Sequence, residues 1–251
     1  MEKIFERTYF LTPAECNPQG RMPITLLINR LIEVATLHAN EVGIGYAYLV
    51  TRHETWVLSR VGVEMTRYPG VNENYTVRTW MSGINRLFSD RDFEILDGDG
   101  NTIGWARTVW AVLNTDNRQA ADLSHMYHIR ELFPDDKTCG AAPLARLRPL
   151  AEYETLHYRF TYCDIDFNRH VNSSRYIELL LNCRSLDFHD RNRLTRFEIS
   201  YLHEAYYDEP VEVRLAPMPS SPEFPATEVT LAELVHGDRP LCRALLGYSP
   251  R

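Results

Sequence analysis

The residues best suited to chemistry are crowded into one stretch, Asp166-Phe167-Asn168-Arg169-His170-Val171-Asn172. Asp166, Asn168 and His170 alternate, so in an extended segment their side chains would share one face. The run 173–181 follows without a break and has the apolar spacing of a helix. A helix N-terminus offers unpaired amides and a partial positive charge. An acid, an amide and an imidazole delivered there would suit the polarisation of a carbonyl and the stabilisation of an oxyanion. Asp and Asn also dominate turns and caps for structural reasons alone, so the local pattern leaves a second reading open in which His170 is merely exposed.

The elements that would position these residues occur twice. In each half a short extended segment (5–12; 153–162) leads through a polar turn into one amphipathic helix, and only strands follow. The first helix, 24–42, carries Leu27, Leu31, Val34, Ala35 and His38 on one stripe, which makes His38 a core histidine. Strands are expected at 55–68, 75–84, 87–96 and 102–113, the last two joined by the turn sequence Asp97-Gly98-Asp99-Gly100, and then at 193–204, 211–215, 227–235 and 241–248. Residues 134–149, rich in Pro, Ala and Gly, read as a linker between domains 1–133 and 150–251.

The halves align without gaps over one region: Val63-Glu64-Met65-Thr66 matches Phe197-Glu198-Ile199-Ser200, which sets Gly70 against Glu204 and Val77 against Val211. The turn before the first helix, Asn17-Pro18-Gln19-Gly20-Arg21-Met22, has no Asp-x-Asn-x-His. The second half therefore reads as catalytic and the first as degenerate. One helix with an antiparallel set of strands, twice over, suggests an α+β architecture in which each sheet wraps a central helix.

Composition narrows the function classes. At 251 residues, 44% hydrophobic and 24% charged, the chain can bury a substantial core. A net charge of -7 argues against a general nucleic-acid binder. Cys16, Cys139, Cys163, Cys183 and Cys242 are odd in number and scattered, which fits a reducing cytoplasm better than a disulfide framework or a zinc site. The charged N-terminus does not read as a signal peptide, and no apolar run has membrane-spanning length. His125 and His128 lack a third metal ligand, there is no G-x-S-x-G and no Gly-rich phosphate loop, and neither metal nor cofactor is expected. Trp56, Trp80, Trp105 and Trp110 fall in strands and read as core.

The order of elements resembles the hotdog fold. Nearly the whole chain is similar to the acyl-acyl-carrier-protein thioesterases, the double-hotdog enzymes of plants and bacteria, through Trp56-Val57-Leu58-Ser59-Arg60, Arg67-Tyr68-Pro69, Thr79-Trp80-Met81-Ser82-Gly83, Ala106-Arg107-Thr108-Val109-Trp110 and the stretch from Asp164 to Tyr176. The absent transit peptide makes it look like a bacterial member. The resemblance implies two tandem hotdog units, an acyl-binding first half and a catalytic group of Asp166, Asn168, His170 and Glu204. It also implies hydrolysis of fatty acyl-carrier-protein thioesters to free fatty acid.

Plant members usually carry cysteine directly after that glutamate, whereas this chain has Ala205. Water is therefore the expected nucleophile, with Glu204 as base helped by Asn168, His170 and the amides near Val171 at the oxyanion, and Asp166 orienting His170. Exchange of roles between Asp166 and Glu204, and direct carboxylate attack, stay open. The partner implied is acyl carrier protein with its phosphopantetheine-linked acyl chain. Its docking calls for a local basic surface, for which Arg184, Arg191, Arg193 and Arg196 are the densest candidates and Arg191 and Arg193 the ones to reverse. A solvated loop is an equal reading of that charge run. An acyl-CoA thioesterase or hotdog dehydratase is the alternative enzyme, and a non-catalytic acyl-binding module the alternative outside catalysis. A homodimer is compatible with the pattern.

Overall fold

The apolar stripe of the first half folds as one long helix, α1 (Ile24–Glu41), whose inward face is Leu27, Ile28, Leu31, Val34, Ala35 and His38. It stops where Gly43 takes a left-handed φ of +82°, a conformation glycine adopts without a Cβ clash. The computed structural model describes residues 2–219 and 226–251. The chain divides into two compact units, Met1–Pro143 and Leu144–Arg251.

In the first unit, β1 (Ile4–Phe10), β2 (Glu54–Met65), β3 (Asn74–Ile84), β4 (Ser89–Asp97) and β5 (Thr102–Asn114) form an antiparallel sheet. Pairing runs β1-β3-β4-β5-β2. Alternate residues of these strands, such as Tyr75, Val77, Phe93 and Ile95, are buried. A short helix, α2 (Tyr46–Val50), follows α1. The β4–β5 turn closes as its sequence predicts, with Asp97 Oδ1 accepting from the amides of Asp99 and Asn101 at 3.1 and 2.8 Å.

The second unit repeats the plan with β6 (Glu154–Arg159), β7 (Asn192–Tyr201), β8 (Pro210–Met218), β9 (Glu228–His236) and β10 (Arg239–Pro250), paired in the order β6-β8-β9-β10-β7. Its helices are α3 (Ser173–Asn182) and α4 (Leu186–Arg191). Each unit thus has the hotdog layout of an antiparallel sheet with one principal helix, and the chain is a double hotdog. The stretch expected as a linker is divided between the units. Its first part is tied to unit one by Lys137 on Glu94, by Arg107 donating to the carbonyls of Cys139 and Ala141, and by the Ala142 amide on Glu64. No helix among the described residues is long and apolar enough to cross a membrane.

Candidate active site

The segment expected to be extended is a tight turn. Asp166 Oδ1 accepts from the amides of Asn168 at 2.8 Å and His170 at 3.3 Å, and the Asp166 amide donates to the His170 carbonyl at 2.8 Å. Arg169 takes φ +69°, and a bridge between Ile165 and Val171 closes the base. An acceptor side chain two residues before a polar amide favours this closure over a strand, because it satisfies backbone donors locally. Asp166, Asn168 and His170 therefore do not line one strand face. Asp166 faces its own backbone, Asn168 is exposed at the tip, and His170 is half-buried. The turn is anchored by buried Asp164, whose carboxylate takes the Thr161 amide at 2.7 Å and the Tyr158 hydroxyl at 3.0 Å.

The group facing the His170 ring is Glu204, with Oε1 3.4 Å from Nδ1. Glu204 lies just past the end of β7 rather than within it. The loop carrying it is pinned to the turn by the Val171 amide, which donates to the Ala205 carbonyl at 2.8 Å. Tyr206 completes the cluster: its ring stands edge-on to His170 at 5.2 Å between centroids, and its hydroxyl lies 3.5 Å from Glu204 Oε2. Tyr206 escaped the sequence reading, although its place two residues beyond Glu204 was the available signal.

Two expected roles change. Asp166 meets His170 through backbone hydrogen bonds, not through the ring. The amides proposed for the oxyanion are already engaged: that of Val171 by Ala205, that of Asn172 by the Asp164 carbonyl at 2.8 Å, and that of Ser174 by its own cap, Asn172 Oδ1, at 2.9 Å.

The first unit contains the same turn without the chemistry. Asn17 Oδ1 accepts from the amides of Gln19 at 3.1 Å and Arg21 at 3.0 Å, its amide donates to the Arg21 carbonyl at 2.8 Å, and Gly20 takes φ +66°. Asn17 thus stands for Asp166, Gly20 for Arg169 and Arg21 for His170. Beyond the turn the gapless alignment slips by two residues: the Met22 amide donates to the Pro69 carbonyl as that of Val171 does to Ala205, and the Gly70 amide donates to the Glu73 carboxylate as that of Tyr206 does to Glu209. Tyr68, not Gly70, therefore stands for Glu204, Gly70 stands for Tyr206 and forms an isolated bridge with Arg21, and Val213 rather than Val211 matches Val77. At these matched positions a histidine beside a carboxylate occurs in unit two and not in unit one.

Both side chains of the pair are partly open, His170 at 24% and Glu204 at 40% of their side-chain surface. Three of the cysteines are held in the thiol form by burial. Burial pushes the Cys139 thiol up to about 11 and the Cys242 thiol up to about 12, and it also raises that of Cys183. Ala205 is fully buried.

The four arginines of the expected basic surface separate. Arg196 is buried and paired with Glu198, and Arg184 is held by Glu228. Arg191 is exposed in an ion pair with Asp187, Arg193 is exposed, and the Arg251 amide joins them by donating to the Arg191 carbonyl at 3.0 Å. His125 and His128 do not converge on a shared ligand: His125 Nδ1 bonds the Asp122 carbonyl at 2.8 Å, and its ring tilts against Tyr48. His38 is the core residue its stripe predicts.

The Acyl-ACP thioesterase N-terminal domain family model matches residues 2–128, and the C-terminal domain model matches residues 147–233. The chain belongs to the acyl-ACP thioesterase family. A solved acyl-ACP thioesterase from Bacteroides thetaiotaomicron is 30% identical, with a TM-score of 0.88 and 98% of each chain covered. The 12:0-ACP thioesterase from Umbellularia californica shares the fold, with a TM-score of 0.83 at 22% identity over 99% of this chain and 94% of that one. Among curated relatives, the chloroplastic oleoyl-acyl carrier protein thioesterase 2 of Arabidopsis thaliana is 27% identical over 228 residues. That match takes in 84% of this family member and 61% of the Arabidopsis chain.

Proposed function

We propose that this acyl-ACP thioesterase family member hydrolyses fatty acyl-carrier-protein thioesters, releasing free fatty acid and the carrier's phosphopantetheine thiol. The observation that carries this reading is the apposition of His170 and Glu204 inside the family's fold. Glu204 beside Nδ1 fixes the imidazole tautomer with its proton on that nitrogen, which leaves Nε2 as the proton acceptor. Water then attacks the thioester carbonyl carbon while Nε2 takes its proton. The tetrahedral intermediate collapses with cleavage of the C–S bond, and the departing sulfur takes the proton back from Nε2. The Glu204 carboxylate stabilises the transient imidazolium, so the acid expected as base acts as the partner of the base. Asn168, exposed at the tip of the turn, offers an amide N–H to the carbonyl oxygen. Asp166 builds the turn that presents His170.

The first unit supplies the acyl-chain site and the second the chemistry. The carrier docks where Arg191 and Arg193 add positive charge to an otherwise acidic protein. Five free thiols suit a reducing compartment, and we place the reaction in the cytoplasm, within fatty acid biosynthesis.

The test is a panel of acyl-carrier-protein and acyl-CoA thioesters of increasing length with purified protein. The reading requires a higher kcat/KM on the carrier-protein esters. Reversal of Arg191 and Arg193 to Glu should weaken that reaction in a salt-dependent way and spare a small acyl thioester. Equal or better turnover of acyl-CoA would move the substrate class to coenzyme A, and no turnover of either would remove the activity.

A further inference from the structure

Tyr206 is the member of the His170–Glu204 cluster that the proposed steps leave without a role. Its hydroxyl lies 3.5 Å from Glu204 Oε2, while the other carboxylate oxygen, Oε1, faces His170 Nδ1 at 3.4 Å. Its ring stands at 85° to the imidazole, with centroids 5.2 Å apart. One side chain therefore touches both members of the pair. A phenol donates to a carboxylate, and a ring packed edge-on against another restricts its rotation.

The loop fixes Tyr206 through its backbone. The Tyr206 amide donates to Glu209 Oε2 at 3.1 Å, the Glu209 amide returns to the Tyr206 carbonyl at 3.3 Å, and Arg239 clamps both Glu209 oxygens at 2.9 Å. The first unit builds the same loop on glycine. There the Gly70 amide donates to Glu73 Oε2 at 2.8 Å, the Glu73 amide returns to the Gly70 carbonyl at 3.1 Å, and Arg67 holds that carboxylate at 2.9 Å. The fold of the loop therefore calls for no side chain at this position. Tyr206 also leaves 42% of its surface in water, so burial gives little reason for it. What sets the tyrosine apart from its glycine counterpart is the pair it touches.

We propose that Tyr206 is a positioning residue of the thioesterase reaction: its hydroxyl holds Glu204 so that Oε1 stays on His170 Nδ1, and its ring holds the imidazole in the orientation that leaves Nε2 for the attacking water. This rests on the proposed assignment of His170 as base and Glu204 as its partner. Without the hydroxyl the partly open carboxylate turns towards solvent, and without the ring the imidazole rotates as well. Hydrogen bonds of this kind are often long in a resting site and shorten as the reaction proceeds. The loss on removing Tyr206 therefore falls on kcat and leaves KM alone.

The experiment compares Tyr206→Phe and Tyr206→Leu with wild type on one acyl-carrier-protein ester, and Tyr206→Phe again in the Glu204→Ala background. Phenylalanine keeps the ring and drops the hydroxyl; it should lower kcat about tenfold, the size of one hydrogen bond to a charged group, with KM within about twofold and thermal unfolding as in wild type. Leucine drops both and should lose about tenfold more. In the Glu204→Ala background the hydroxyl has no carboxylate to hold, so Tyr206→Phe should change kcat by less than about twofold. An equal loss from Tyr206→Phe with and without Glu204, a loss carried by KM, or a kcat of Tyr206→Phe within about twofold of wild type would each overturn the proposal. A second readout needs no turnover. In NMR spectra with isotopically labelled histidine, the His170 ring assigned by its loss in His170→Gln, wild type should show the Nδ1–H tautomer and Tyr206→Leu a mixture of both. The same tautomer in both proteins, or Nε2–H in wild type, would overturn the proposal. A changed tautomer in a protein that turns over no thioester would fail the proposed function alone.

Discussion

Replacing Glu204 by Gln removes one negative charge 3.4 Å from His170 Nδ1 and leaves the shape of the site nearly unchanged. Two unit charges at that separation interact by ~1.2 kcal/mol in water and by ~5 kcal/mol at an effective dielectric constant of about 20. Both side chains are partly open to solvent, so the lower half of that range applies. A loss of ~2–3 kcal/mol of support for the imidazolium corresponds to a rate loss of roughly 30- to 150-fold. It falls on kcat, because the charge on the ring develops only in the transition state. The Gln carbonyl can still accept from Nδ1–H, so the tautomer is retained and Glu204→Ala should lose more than Glu204→Gln. Steady-state assays on one acyl-carrier-protein ester, with KM measured separately, decide the matter. Turnover of Glu204→Gln within threefold of wild type would refute the pairing of base and carboxylate argued here.

Asp166→Asn should keep wild-type thermal stability, because Asn17 closes the same turn in the first unit. Asp166→Ala should lose on the order of 1 kcal/mol, and the turnover of Asp166→Asn should fall less than that of Glu204→Gln. Burial, then the Arg91 charge, depresses the His38 pKa to about 4 from 6.5, so its contribution to stability is complete above the unfolded value and is lost as pH falls from 6.5 towards 4. Urea melts at pH 7 and pH 4 should show wild type losing up to ~3 kcal/mol more than His38→Gln. Joint replacement of Cys163 and Cys183 by Ser should leave most activity. A thiol reagent should label exposed Cys163 quickly and Cys242 only on unfolding; an acyl-enzyme trapped on any cysteine would contradict the water mechanism.

Where side-chain period alone decides the outcome, the sequence was readable. The stripe of α1, the burial of His38, the strands on either side of Asp97-Gly98-Asp99-Gly100 and the duplication of the whole plan follow from patterns of two and 3.6 residues. The turn at Asp166 was legible only as one of two readings, because alternation of polar residues looks the same whether the chain is extended or folded back on an Asx side chain. Which of the two acids faces the His170 ring stayed open for a related reason. Local pattern places Asp166 near His170 but cannot show that the bond from Val171 to Ala205 brings Glu204 to the ring from more than thirty residues away. The four arginines could not be told apart in the sequence because charge runs carry no burial signal: Arg196 lies on the inward face of β7, while Arg191 and Arg193 are exposed.

A carboxylate newly placed at 68, the position that matches Glu204, would meet the guanidinium of Arg21, whose Nη1 donates to the Tyr68 carbonyl at 3.5 Å. The product would be an inert ion pair, because arginine cannot give up or accept a proton at neutral pH. A histidine placed at 21 alone would find tyrosine rather than a carboxylate at 68 and have nothing to hold its tautomer. Neither change improves on the other's background, so a path from an inert to a reactive half, or back, crosses an intermediate that gains no function. The two halves are separated by a coupled pair of positions on a common scaffold, and such a pair, once lost from one copy after duplication, has no stepwise selective route to return.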